Sequence, residues 1–234
     1  MNRHASVLAE RGAELEAFSA RVAHDLKGPL SAMVFTIQAA KGDITVRSGD
    51  AFELMHRQVL RMNEIIEGLL EFARAGASAT PHAHADLLVV LGDVIDTLRP
   101  KAAAAQAELS IDPFDPIQVA CTSGALSSIA SNLIDNAVKF IGESSQTNRC
   151  IRIMVKERGE MVRVEVADNG PGLPAGAEQL IFEPFRRLPG TRQPGIGLGL
   201  ATVKKIVDAY RGRVGVTSRL GDGSTFWFEI PRFY

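Results

Sequence analysis

The chain has 234 residues, 46% hydrophobic and 23% charged, which is enough to bury a core in one large domain or two small ones. With 26 basic and 27 acidic side chains the net charge is −1, so no overall field draws nucleic acid or an anionic membrane. The longest aliphatic run, Leu87 to Leu91, falls far short of the ~20 residues of a spanning helix. The amino terminus has no apolar signal core, and Cys121 and Cys150 lack metal-ligand spacing, so a soluble cytoplasmic protein is expected.

In chain order, Leu15, Phe18, Val22, Leu26, Leu30, Met33 and Ile37 recur at steps of three and four, which predicts one face of a helix. Phe52, Met55, Val59, Met62, Ile66, Leu69 and Ala73 alternate three and four without a break, a heptad seam. The polar stretch from Lys41 to Asp50 between them suits a turn and a helix cap. Two helices bury little by themselves, so this all-α hairpin is expected to pair with a second copy as a dimeric four-helix bundle. Residues 77–85 read as a linker of small residues, separating a hairpin domain (1–76) from a second domain (86–234). There a helix is predicted near Leu91–Ala107 and a strand at Leu109–Ile111, then a helix over Gly124–Phe140. Strands follow at Ile151–Glu157 and Val162–Ala167, a helix at Leu198–Tyr210, and strands at Val214–Ser218 and Thr225–Ile230. This order predicts an α/β sandwich, one mixed sheet covered by helices.

Four segments carry candidate chemistry. His24 follows an apolar helix face and precedes Asp25, with Pro29 a turn further on; it reads as a solvated helix histidine or as a nucleophile beside an orienting carboxylate. Asn132, Asn136 and Lys139 share one helix face, where amide oxygens suit a phosphate-bound Mg²⁺ and the lysine suits phosphate, although a plain polar face has the same pattern. Asp168, Gly170 and Gly172 end a strand, as a turn or as a place where backbone approaches a planar ligand and a carboxylate accepts from its amine. Gly195, Gly197 and Gly199 open a helix and can form a phosphate nest, without the spacing of a dinucleotide fingerprint or the ending of a P-loop.

Together, in this order, these segments resemble the kinase core of a two-component sensor histidine kinase, from about Arg11 to Pro231. The resemblance implies a GHKL-type ATP-binding fold, ATP and Mg²⁺ as cofactors, and His24 as the phosphorylated residue assisted by Asp25. It implies Asn136 and Asn132 at Mg²⁺, Lys139 at phosphate, Asp168 at the adenine amine, and Phe182 and Phe185 in the F-box ahead of a lid over ATP. Gly170 and Gly172 match one glycine box and Gly195, Gly197 and Gly199 the other, while Thr225 is expected beneath adenine. Arg187 and Arg192 on the lid are expected to clamp phosphate, with Arg186 as the alternative to Arg187.

The implied partners are a second copy of the chain, a response regulator's receiver domain, and a sensor domain or separate sensory protein. Gly28 stands where many members carry a threonine or asparagine that positions water, so weak phosphatase activity is expected. Two other readings stay open. A serine kinase or ATPase on the same fold would lack the His24–Asp25 segment, and a non-enzymatic nucleotide-binding scaffold would not need intact glycine boxes.

Overall fold

The computed structural model describes residues 20–23, 25–39, 48–76, 80, 82–144, 146–188, 193 and 195–234. Contacts divide the chain into two units, one ending at Leu70 and the other beginning at Glu71. In the first unit, α1 runs through residues 20–23 and 25–39, continuing as helix past Pro29. Helix α2 spans Ser48–Arg74. Leu15 and Phe18, and most of the expected turn after α1, lie outside the described residues. Along α2 the heptad residues Phe52, Val59 and Ile66 are exposed, while Ala51 and Ile65, beside them in sequence, are buried. On α1, Leu30 and Ile37 are exposed as well. Taken by itself, this unit therefore leaves much of its apolar stripe uncovered.

The last turn of α2 belongs to the second unit, earlier than a boundary at residue 76. The reason is packing: Ala75 is buried with the second unit's core, and Glu71 and Phe72 hydrogen-bond to helices of that unit. Those helices are α3 (Leu87–Ala104), α4 (Ser123–Ile141) and α5 (Gly199–Ala209). Helix α3 begins at Leu87, upstream of the predicted start, because the Asp86 carboxylate accepts from the backbone of Leu88 and Val89 at 2.9 and 3.1 Å. Thr122 caps α4 in the same way, accepting from Ala125.

Seven strands are described: β1 (Ala85–Asp86), β2 (Ala107–Ile111), β3 (Gln118–Val119), β4 (Arg149–Arg158), β5 (Met161–Asp168), β6 (Arg213–Arg219) and β7 (Gly223–Pro231). The order β2-β4-β5-β7-β6 forms one mixed sheet, with β2 parallel to β4 and the other pairs antiparallel. The short pair of β1 with β3, unpredicted, ties the start of α3 to the chain end, where Val119 also bridges Arg232. Strict alternation sorts β4, β5 and β7 into two faces. Ile151, Ile153, Val162, Val164, Val166, Phe226, Phe228 and Ile230 join buried residues of α3, α4 and α5 in one core. On the other face Arg163 lies 3.8 Å over the Trp227 ring and bridges Glu165 and Glu229 at 2.8 and 3.1 Å, while Lys156 also bonds Glu165.

Candidate functional site

Helix α4 presents its polar face through Ser128, Asn132, Asp135, Asn136 and Lys139, while Leu126, Ile129, Leu133, Ile134 and Ala137 anchor it in the core. The Asn132 amide nitrogen donates to the Ser128 carbonyl at 2.9 Å and to a Glu71 carboxylate oxygen at 3.2 Å. Its oxygen is thereby turned towards Gly199, 2.6 Å from where a β-carbon would stand, so any side chain at the first residue of α5 would press on this amide. Asn136, one turn on, is half-buried and its amide has no hydrogen-bond partner among the described residues. Lys139 bridges Asp135 at 2.7 Å, and Lys101 of α3 clasps the same carboxylate. Burial pushes the Asp135 carboxyl up, but the hydrogen bonds from Lys101 and Lys139 outweigh it and hold the group below the usual carboxylate value.

Asp168 ends β5 on the core-facing side of the sheet, opposite Ser224 of β7. Burial pushes its carboxyl from 3.8 up to about 6, against the backbone N–H groups of Gly170 and Ser224 that donate to it. This is a carboxylate kept short of donors in a partly dry setting, able to take one more from a ligand. The loop after it needs its glycines: Gly172 has φ +69°, and a β-carbon there would stand 2.0 Å from the Arg219 carbonyl. Ser218 fastens the loop to the sheet, accepting from the Leu173 N–H at 2.8 Å and lying 2.9 Å from the Ser224 hydroxyl. Thr225 does not join this group. Its register partners are Ala167 and Thr217, on the opposite face from Asp168, and a one-residue step along a strand reverses the side chain. Ser224, 8% exposed, and not Thr225, which was expected beneath adenine, is the residue of β7 opposite Asp168.

Phe182 ends a short 3-10 turn and is buried in the core. Phe185, in left-handed backbone at φ +61°, donates its N–H to the Gly197 carbonyl at 2.8 Å. Gly197 has φ +74°, and a β-carbon would come within 2.7 Å of the Arg186 carbonyl, so the F-box and the second glycine box are laced at backbone distance. Arg187 donates to the Gln193 carbonyl at 2.6 Å. Among the described residues no side chain caps α5, and the start of a helix is where backbone N–H groups can receive an anion. Gly195 and Gly199 flank this start.

Asp25 lies on α1, half-buried, while His24 and Arg192 lie outside the described residues. Glu71 and Ser128, which hold Asn132, went unread in the sequence. Glu71 is an exposed position on the heptad helix, and no local pattern pairs it with a residue 61 positions away.

Two family profiles match the chain: the His Kinase A (phospho-acceptor) domain over residues 14–78 and the Histidine kinase-, DNA gyrase B-, and HSP90-like ATPase over 122–233. The adaptive-response sensory kinase SasA of Synechococcus sp. (strain JA-3-3Ab) is 32% identical over 222 residues, covering 91% of this chain and 58% of the relative. The chain thus spans little more than half of that relative's length. Among solved structures, full-length ShkA in complex with AMPPNP is 27% identical with a TM-score of 0.65, over 93% of this chain and 46% of the other. The histidine kinase ThkA in complex with the response regulator protein TrrA shares the fold at a TM-score of 0.77 and 22% identity, over 96% of this chain and 64% of that one.

Proposed function

The chain belongs to the sensor histidine kinases, and from that premise we propose that it is an ATP-dependent autophosphorylating kinase that passes a phosphoryl group from His24 to an aspartate of a response regulator. The observation that carries this reading is the union, in one chain, of a phospho-acceptor domain and an ATPase domain, the latter with Asn132 set against Gly199 at the start of α5 and with the buried Asp168 carboxylate beside Gly170.

Asp168 accepts from the adenine amine, and the glycine loops let backbone lie flat against the ring. The uncapped amides at the start of α5 and the Lys139 ammonium receive phosphate, the lysine after leaving Asp135. A divalent ion fits here: the Asn136 amide is unengaged among the described residues, and the Asn132 oxygen is directed away from its own donors' partners. Asn136 and Asn132 would hold Mg²⁺, which when bound neutralises charge on the β- and γ-phosphates. The His24 ring nitrogen attacks the γ-phosphorus in line while the bond to the ADP oxygen breaks, and Asp25 receives the proton that the ring gives up. Position 132 holds an amide where a water-activating base would need a carboxylate, which favours transfer to histidine over hydrolysis.

The exposed stripe of α1 and α2 suits pairing with a second copy, and the receiver domain of the regulator would dock near His24 on the resulting bundle. Among the described residues no helix is long and apolar enough to cross a membrane, and the stimulus would reach the core through a sensor domain or a separate sensory protein. The test is transfer from γ-labelled ATP with Mg²⁺. Acid-labile, alkali-stable label on the native chain that vanishes in His24→Gln is expected; label that persists in the variant would overturn the assignment of the nucleophile.

A further inference from the structure

The last turn of α2 reaches both helices that carry the nucleotide site. On the α5 side, the Lys205 ammonium donates to the Phe72 carbonyl at 2.9 Å and lies 4.6 Å from the centre of the Phe72 ring. On the α4 side, the Glu71 carboxylate accepts from both the Ser128 hydroxyl and the Asn132 amide. An asparagine amide can sit in either of two orientations, and its neighbours decide which. Here two groups that can only accept, the Ser128 carbonyl and the Glu71 carboxylate, converge on the Asn132 nitrogen. The oxygen must then face the start of α5, against Gly199. The Ser128 hydroxyl, donating to the same Glu71 oxygen that receives the amide, keeps the carboxylate in place.

We propose that Glu71 is a positioning residue of the nucleotide site: it fixes the Asn132 amide with its oxygen turned to the metal–phosphate side, so the end of α2 sets how strongly Mg²⁺ favours nucleotide binding. This rests on the reading that the chain binds nucleotide with Mg²⁺ at Asn132. Glu71 is exposed, so replacing it leaves the core of the second unit in place.

The experiment is calorimetric titration of the full chain with ADP, once with Mg²⁺ and once with EDTA, the readout being the ratio of the two affinities. In Glu71→Ala that ratio falls roughly threefold to tenfold, while the affinity in EDTA stays within about twofold. Glu71→Gln, whose side-chain oxygen still accepts from Asn132 and Ser128, restores the ratio. In an Asn132→Ala background Glu71→Ala has no further effect on it. An unchanged ratio, an equal loss with and without Mg²⁺, tighter Mg²⁺-dependent binding, or additive effects in the double variant would each overturn the proposal. If the unaltered chain binds no ADP under either condition, the nucleotide reading itself fails and takes this inference with it.

Discussion

Asp168 offers the sharpest prediction, because one carboxyl is asked both to remain charged and to remain half-dry. Burial raises it to about 6, and an adenine amine binds the ionised form. A proton therefore competes with the nucleoside. With that value, about 97% of the carboxyl is ionised at pH 7.5 and about 9% at pH 5.0, so affinity falls about tenfold, near 1.4 kcal/mol. Adenosine is the proper ligand, since it has no phosphate to titrate over the same range. Titrations from pH 7.5 to 5.0 follow a single proton with a midpoint at about 6, and Asp168→Asn flattens the curve.

The same shift has an opposite consequence for folding. A folded-state value above the unfolded 3.8 means that the folded chain binds the proton more tightly. This group's contribution is most favourable below the unfolded value and is lost as pH rises from about 4 to about 6, by at most about 3 kcal/mol. Asp168→Asn, which keeps an acceptor for Gly170 and Ser224 but carries no charge, gains stability at pH 7 while losing adenosine affinity. A flat adenosine profile in the unaltered chain, or the same slope in the variant, would refute the reasoning.

Two further outcomes follow from the loops and the core. Gly197→Ala must place a β-carbon 2.7 Å from the Arg186 carbonyl in left-handed backbone, so nucleotide affinity drops at least tenfold while the domain loses about 1–3 kcal/mol in chemical denaturation. Retained affinity would show that the lid tolerates the displacement. Cys121 is fully buried and its thiol is pushed up to about 12 by desolvation, so alkylation at pH 8 labels it only after denaturation, whereas the half-buried Cys150 reacts in the native chain; mass spectrometry of the two peptides decides.

Much of the second unit was legible because its residues obey one period at a time. The β-branched alternation of Val162, Val164 and Val166 marks β5 whatever lies around it, and Leu126 to Ile141 repeats at helical spacing. The start of α3 escaped because Leu87 to Leu91 is apolar at every position, which shows no period, and only the cap at Asp86 marks it. Two-residue strands such as β1 and β3 are too short to alternate. Within the site, composition located Asp168 and the glycines, but choosing between Ser224 and Thr225 required the register of β7 against β5, which is a property of the pair and not of either strand. Glu71 lay further out of reach, since it meets Asn132 only where the last turn of α2 packs on α4 within the second unit.

Among the described residues of the second unit the sheet has helices on one face, and its other face is closed by its own side chains. Arg163 rests on Trp227, which in turn fills the space above Gly215, where a β-carbon would stand 2.4 Å from the ring. Glu165 and Glu229, both nearly covered, neutralise Arg163 and Lys156. Two bases and two acids lying flat make a plate that offers neither an oily surface for another molecule to adhere to nor a net field for a charged one to follow. The centre of this face therefore offers little hold to an encounter guided by charge or by apolar surface.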